Sequence, residues 1–387
     1  MNALIPGVGY KQGCNNKVVK IIHIVSGNAM GGAQRYALDI CRHYSAEGHD
    51  VLALTRDAKA IDRHFREAGV ALAHAPLRDY PDLFSSLTLS QLLKNSPQGA
   101  TIVHVHRYRD ALTAMAARRM AGRPDVGIVV TRHVAEKGKN NWLRRLIYRG
   151  VDAHICVSAM AKREFLSAWP HGRYPFDTAR LHVLFNSRNI IPRREDIPAK
   201  GAVTAMFHGT LRPGKGLETL IEALGKLKDT RLRLKIVGTG DPDFVDALRR
   251  RSQALGIMDR IDWIRIAEDP MPLIASCHFG VLPSETPEAF GMANMEYMAA
   301  GRGQISTFNG AQSEYLRPGL TALKVAPGDA DALAEAMRTL YADKELCRRM
   351  GQAAGEHYDA ILAWPGFITR LDEIYRGVAS ATPPPMA

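Results

Sequence analysis

Two glutamates carry the densest chemical signal in this chain. Glu288 lies in Pro283-Ser284-Glu285-Thr286-Pro287-Glu288-Ala289-Phe290-Gly291, and Glu296 follows after seven intervening residues. The run at 278–282, His-Phe-Gly-Val-Leu, reads as a short buried strand. The run at 292–300 holds no breaker and stops at Gly301, so it reads as a helix. Glu288 therefore belongs to a strand-to-helix loop and Glu296 to the helix. Open α/β sheets bind ligands beyond the carboxyl ends of their strands, where helix N-termini favour phosphate. A carboxylate in such a loop repels phosphate, so its natural partners are hydroxyls of a sugar or a ribose. Two carboxylates beside a phosphate site imply a ligand that carries both kinds of group, a nucleotide-sugar.

Other loops have matching chemistry. Gly27-Asn28-Ala29-Met30-Gly31-Gly32-Ala33 follows the opening strand, and its glycines let the backbone approach a ligand ahead of a helix start. It is not a full G-x-G-x-x-G, which leaves ligand contact and a plain tight turn both open. His104 and His106 alternate onto one face of a strand end, and His133 closes another strand in the same way. A structural role and a proton-handling role are both open for them, whereas a zinc site lacks a third ligand at suitable spacing. The stretch His208-Gly209-Thr210-Leu211-Arg212-Pro213-Gly214-Lys215-Gly216 places two cations in a glycine-rich loop, which suits a diphosphate. It fails the Walker A spacing. Gly238-Thr239-Gly240 precedes Asp241-Pro242-Asp243, a carboxylate pair that an N-cap role explains without a metal. Residues 137–149 mix Lys137, Lys139, Arg144, Arg145 and Arg149 with Trp142, Leu143, Leu146, Ile147 and Tyr148. On a helix they form an apolar face flanked by positive charge. That face fits either an anionic membrane interface or the protein's own core.

These loops need a scaffold, and the chain supplies a repeating one. Apolar runs at 18–25, 51–54, 102–106, 128–132 and 153–157 alternate with helical segments, among them 33–46, which predicts βαβ units and a parallel sheet. The rhythm breaks at 186–200, with Pro192, Pro198 and the cluster Arg193-Arg194-Glu195-Asp196. It then restarts with strands at 203–207 and 232–237 and helices at 217–226 and 244–255. A last amphipathic helix near 366–375 is placed to pack back across the cleft. A length of 387 residues exceeds a usual single core. We therefore expect an α/β fold of two Rossmann-like halves: a disordered tail at 1–17, a first domain at 18–188, a linker at 189–200, a second domain at 201–364 and a returning helix at 365–380.

Bulk properties narrow the function classes. The five cysteines show no paired spacing, which argues against a disulfide framework or a zinc site and fits a reducing compartment. No apolar run approaches the ~20 residues that cross a bilayer, and the N-terminus lacks a continuous apolar signal segment. The net charge of +12 is lopsided. Residues 1–190 hold 27 Lys and Arg against 14 Asp and Glu, while residues 191–387 hold 24 against 25. A basic first half points to an anionic partner there, or to ordinary solubility charge.

Taken together, these sites resemble the retaining glycosyltransferases of family 4, with a GT-B fold of two Rossmann-like domains facing a cleft. The resemblance runs from about Val18 to Tyr375. Its most specific part is the E-x7-E pair within Pro-Ser-x-x-x-Glu-x-Phe-Gly. Gly-Gly-Ala-Gln at 31–34, the 209–216 loop, Val237-Gly238-x-Gly240, Val157-Ser158, Asn309-Gly310 and Glu314 support it. The resemblance implies that Gly31 and Gly32 lie near the donor diphosphate and the acceptor, and that Lys215 binds the diphosphate, with Gly209, Arg212 and Gly240 alongside. It implies that Glu288 holds the donor sugar, and that the amides of Ala289, Phe290 and Gly291 reach its hydroxyls or the phosphate. Glu296 would bind the ribose, and His106 or His133 would line the reaction centre. No metal or other cofactor is expected, and the leaving nucleoside diphosphate helps to take the acceptor proton. Two positions depart from the family pattern: Thr210 stands where an arginine is usual, and Asn186-Ser187 where Asn-Gly is usual. The function implied is transfer of a sugar from a UDP- or GDP-sugar to a cell-envelope glycan or lipid-linked acceptor, without a nucleic-acid partner. The protein would be cytoplasmic and peripheral on the inner face of the membrane through residues 137–149. A nucleotide-sugar epimerase and a non-catalytic carbohydrate- or nucleotide-binding protein are the alternatives.

Overall fold

The opening strand, Lys-Ile-Ile-His-Ile-Val, buries every residue but its first. Strands buried on both faces belong to parallel sheets covered by helices, and two such sheets make up this protein. The structure, a computed structural model, describes residues 19–380 except 58, 79–81, 99–100, 191, 193, 198–201 and 266–268. The expected tail at 1–17 and residues 191, 193 and 198–200 of the expected linker lie outside the described residues.

The first sheet contains β1 (Lys20–Val25), β2 (Asp50–Thr55), β3 (Ala71–His74), β4 (Thr101–Val105), β5 (Gly127–Arg132), β6 (Ala153–Cys156) and β7 (Leu181–Val183). Its order is β3-β2-β1-β4-β5-β6-β7, and the pairing is parallel throughout. The helices interleaved with it are α1 (Gly32–Ala46), α2 (Lys59–Glu67), α3 (Leu83–Lys94), α4 (Tyr108–Ala121), α5 (Trp142–Gly150) and α6 (Ala159–Leu166).

The second sheet contains β8 (Thr204–His208), β9 (Arg233–Val237), β10 (Ile261–Ile264), β11 (Phe279–Leu282), β12 (Gly303–Ser306) and β13 (Ala322–Lys324), in the order β10-β9-β8-β11-β12-β13 and again parallel. With it go α7 (Leu217–Lys226), α8 (Pro242–Ala254), α9 (Met271–Ala275), α10 (Met292–Ala299), α11 (Gln312–Tyr315), α12 (Ala330–Ala342) and α13 (Lys344–Ile361). In each sheet the strand order reverses beside the first strand, the switch point at which ligands bind in such folds.

The final helix, α14 (Trp364–Ser380), returns to the first sheet. The Tyr375 hydroxyl lies 2.6 Å from His104 Nδ1, and the Tyr44 hydroxyl donates to Asp372 at 2.5 Å. Val378 packs so closely on Gly127 that a Cβ there would stand 2.2 Å from it. The four described cysteines are buried free thiols. The 137–149 stretch is only partly helical. Asn141 caps α5, its side chain accepting from Arg144 N at 2.9 Å, so residues 137–140 precede the helix as irregular chain. Among the described residues, no helix is long and apolar enough to cross a membrane.

Candidate active site

The loop that carries Glu288 and the loop that carries Lys215 are laced together by backbone. The amides of Glu285 and Thr286 both donate to Gly214 O, at 2.9 and 3.0 Å. Gly216 has a positive φ of 72°, and a Cβ on it would stand 1.9 Å from Pro283 O, so only glycine allows the two loops this approach. The lacing brings Lys215 Nζ to 2.5 Å from Glu288 Oε1, and Ser284 Oγ donates to the same oxygen. The Glu288 backbone is held as well, since Ala311 N donates to its carbonyl at 2.9 Å. A carboxylate and an ammonium, both partly open to solvent, thus sit paired at the mouth of β8 and β11. Just beyond them α10 begins. Gly291, at φ 88°, caps it and brings no side chain to satisfy the first amides, which leaves the helix N-terminus without a side-chain cap.

Glu296 lies one turn deeper. Arg188 Nη1 donates to its Oε1 at 2.7 Å, and His208 Nε2 lies 2.6 Å from its Oε2. The other edge of the Arg188 guanidinium binds Asp39 of α1. Burial alone would raise the Glu296 carboxyl, but the His208 hydrogen bond and the charges of His208, Arg188 and Arg35 outweigh it and hold the carboxyl below its usual range. Asp39 behaves oppositely. Burial raises it, outweighing the Arg188 charge and hydrogen bond, the Asn189 backbone and the charge of Arg42. One arginine, just past the first sheet, therefore joins a carboxylate of each domain.

The first domain faces this site with the N-terminus of α1. Gly31 is its N-cap, and a Cβ on Gly32 would stand 4.0 Å from Met292 Cγ, so the starts of α1 and α10 oppose each other across the cleft. The seam is closed nearby. Ser158 Oγ donates to Ala289 O at 2.8 Å, and Glu314 accepts from the amides of Ala159 and Met160 at 2.8 and 2.6 Å, capping α6 from the other domain.

Behind Gly31 runs a file of histidines. His23 Nδ1 lies 3.2 Å from His106 Nε2, and His106 Nδ1 lies 3.2 Å from His133 Nε2. Burial lowers His23 to about 3 and His133 to about 4. Burial, with the neighbouring His104 and His133, holds His106 well below its ordinary value. All three rings are neutral at physiological pH, so each carries one N–H. His23 Nε2 is buried with no partner among the described residues. An orphaned N–H is rarer than an orphaned acceptor, so the proton of His23 sits on Nδ1 and points to His106. His106 then donates from Nδ1 to His133. Both nitrogens of His106 are spent in this file, and the group presented at the strand ends is the Nδ1–H of His133.

The remaining expected residues fall around the rim. Arg212 is exposed beside Gly209, and its Nη1 reaches the Pro213 carbonyl at 3.4 Å. Gly240 pairs with Leu211, whose carbonyl would stand 1.8 Å from a Cβ, so close backbone packing accounts for that glycine. Asp241 caps α8 by accepting from Phe244 N, as an N-cap role requires. Sequence reasoning missed Asp39, Arg188, His208 and His23. Among these only His208, inside the third loop, carried a signal. Asp39 lies within α1, His23 within β1 and Arg188 beyond β7, so no local spacing marked the others.

Comparisons with known proteins agree with this geometry. Residues 188–357 match the family described as Glycosyl transferases group 1, and residues 30–188 match Glycosyltransferase Family 4. The lipopolysaccharide core biosynthesis glycosyltransferase LpsE of Rhizobium meliloti is 30% identical over 87% of this chain and 93% of its own length. The phosphatidyl-myo-inositol mannosyltransferase of Mycobacterium leprae is 26% identical over 91% of this chain and 94% of its own. The crystal structure of Anabaena HepE in complex with UDP and glucose superposes with a TM-score of 0.77 at 18% identity, covering 92% of this chain and 98% of that one. With two glycosyltransferase family matches that meet at Arg188 and a 30% identical relative, the chain belongs to glycosyltransferase family 4 and has the GT-B fold.

Proposed function

We propose that this glycosyltransferase moves a sugar from a UDP-sugar to a cell-envelope glycan or lipid-linked acceptor, with retention of anomeric configuration. The single observation that carries the reading is the Lys215–Glu288 pair, in a molecule where the N-termini of α1 and α10 oppose each other across the cleft. An incoming diphosphate takes Lys215 and the amide ends, with Arg212 at the rim, and Glu288 is released toward the sugar hydroxyls. Positive groups already meet the diphosphate charge, so no metal is needed to hold it. Glu296, fixed by Arg188 and His208, turns a remaining lone pair to the ribose, and the backbone amides of Ala289, Phe290 and Gly291 serve the sugar or phosphate. His133, fixed by His106, donates to the sugar or acceptor at the reaction centre. In the transfer, the bond from C1 to the phosphate oxygen breaks as the bond from C1 to the acceptor oxygen forms. The acceptor proton passes to the leaving phosphate.

The UDP base is supported by the UDP complex of the structural neighbour, and the acceptor class by the names of the two relatives. Peripheral membrane contact through α5 is supported by Trp142, 77% exposed, and Leu146, 48% exposed, beside Arg144, Arg145 and Arg149. The test is turnover of UDP- and GDP-sugars with lipid-linked and lipopolysaccharide-type acceptors, product anomers being read by NMR. A glycosylated acceptor with the donor's configuration supports the proposal. An inverted product, or donor isomerised without an acceptor, sinks it.

A further inference from the structure

The outer strands of the first sheet hold a second polar cluster that the transfer reaction does not use. Asp57 follows β2, Asp62 lies in α2, and His74 ends β3. One ligand atom from each lies within 4.8 Å of the others. Two acidic side chains and a histidine are common on surfaces, so the geometry between them decides whether this is a site.

The first point is the state of Asp62. Its side chain is 1% exposed, Oδ1 accepts from Thr55 Oγ1 at 2.7 Å, and Oδ2 is sealed from solvent without a hydrogen-bond donor. A buried carboxylate oxygen left without a partner is costly. The second point is the histidine tautomer. Thr55 Oγ1 has one hydrogen, given to Asp62, so at 3.1 Å it accepts from His74 Nδ1–H. His74 Nε2 then faces Asp62 Oδ2 at 3.6 Å. An ion seated between these atoms would satisfy the Oδ2 that no hydrogen bond reaches. The third point is Asp57, a non-glycine residue at φ 57°, which delivers a third oxygen to the same spot from a strained backbone.

We propose that Asp57, Asp62 and His74 bind a divalent transition-metal ion, zinc or manganese, with Thr55 as the hydroxyl that orients two of its ligands. Zinc bonds to imidazole and carboxylate are about 2.0–2.2 Å, which sets tetrahedral donors about 3.4 Å apart. The Oδ2 to Nε2 separation is already close to that. A ligating histidine held by a second hydrogen bond on its other nitrogen is the usual support of such sites, and one nitrogen with two carboxylates suits zinc or manganese better than the all-oxygen preference of magnesium. Water would complete the coordination. Arg66 Nη2 lies 3.6 Å from Asp62 Oδ2 and competes for it, but its side chain is 60% exposed and free to swing outward. Arg56, next to Asp57, reaches Asn28 of the glycine-rich loop at 3.4 Å, so the ion would brace the acceptor-side rim.

The test uses the full chain, stripped with chelator and then dialysed against zinc, manganese or magnesium. Bound metal is counted by elemental analysis, Mn(II) is followed by electron paramagnetic resonance, and unfolding temperature is recorded. One equivalent of zinc or manganese with a raised unfolding temperature is expected, and little with magnesium. Asp57→Asn and His74→Ala, both at solvent-accessible positions, should lose the ion while keeping the wild-type circular dichroism. Arg66→Ala should tighten binding by roughly tenfold, since it removes the competing cation. That gain distinguishes a metal site from a merely structural cluster. Substoichiometric metal in the wild type overturns the proposal, as does uptake unchanged in both ligand variants. So does a ring-nitrogen NMR signal showing His74 doubly protonated in the presence of metal.

Discussion

Lys215 and Glu288 are paired at 2.5 Å, and this pairing gives their substitutions opposite signatures. In Glu288→Gln the ammonium loses its partner but keeps its place, because the loops are laced through Gly214 O and Gly216 rather than through the side chains. Turnover should fall by about a hundredfold or more, the scale seen when a group acting on the transition state is removed, with nucleoside-diphosphate affinity kept or improved. Lys215→Ala should instead weaken UDP binding by about 1.5–3 kcal/mol, the range for hydrogen bonds to charged groups. Titration calorimetry with UDP alone separates the two. Equal losses of affinity in both variants would contradict the division of roles. Glu296 is a different kind of residue from Glu288 despite their shared motif. Its carboxylate is buried and braced by Arg188 and His208, so it is held as a fixed acceptor.

At the scale of elements, α5 shows how one segment serves two surfaces. Ile147 and Tyr148 turn inward and are buried, while Trp142 and Leu146 stay outside among arginines. Nearby α3, which packs on the same neighbour α4, exposes Phe84 by 70%. Arg144→Glu with Arg145→Glu should reduce sedimentation with vesicles containing anionic lipid, and Trp142→Ser should do so even at high salt, where charge is screened. Retention of full vesicle binding by the charge-reversal variant would remove the membrane reading. The elements were legible in the sequence to uneven degrees. The long apolar strands, the glycine-rich loops and the helices after them could be read directly, as could the pairing of Glu288 with Lys215 in one region. Strands β3, β7, β10, β12 and β13 are three or four residues long, too short for a periodic signal. The histidine file, the Asp39–Arg188–Glu296 bridge and the role of Tyr375 join residues from distant segments, so no local spacing announces them. The basic run at 137–149 looked continuous because charge pattern does not mark where Asn141 starts the helix.

At the scale of the whole molecule, buried neutral histidines tie stability to pH. Burial lowers His23 and His154 to about 3 and His133 to about 4. In the unfolded chain their pKa is about 6.5, so below that pH the unfolded state binds more protons and stability falls as pH drops toward 4. Each group contributes a slope of up to about 1.4 kcal/mol per pH unit in that window. Urea midpoints should fall steadily between pH 6.5 and 5, a range above that in which carboxylates titrate, and a flat profile there would show that these rings are solvated. Among the polar contacts that join the two domains is the buried bridge through Arg188. A buried ion pair is weak support for stability in itself, but this one fixes how α1 and α10 face each other. Arg188→Met leaves Asp39 and Glu296 buried without their shared cation, and should destabilise the fold by about 3–5 kcal/mol. Adding Asp39→Asn removes one stranded charge and should recover part of that loss, while activity should stay low because Glu296 has lost its Arg188 brace. Stability recovered together with activity would mean that the arginine serves only to neutralise Asp39. Stability recovered alone assigns it to holding the donor site in register across the cleft.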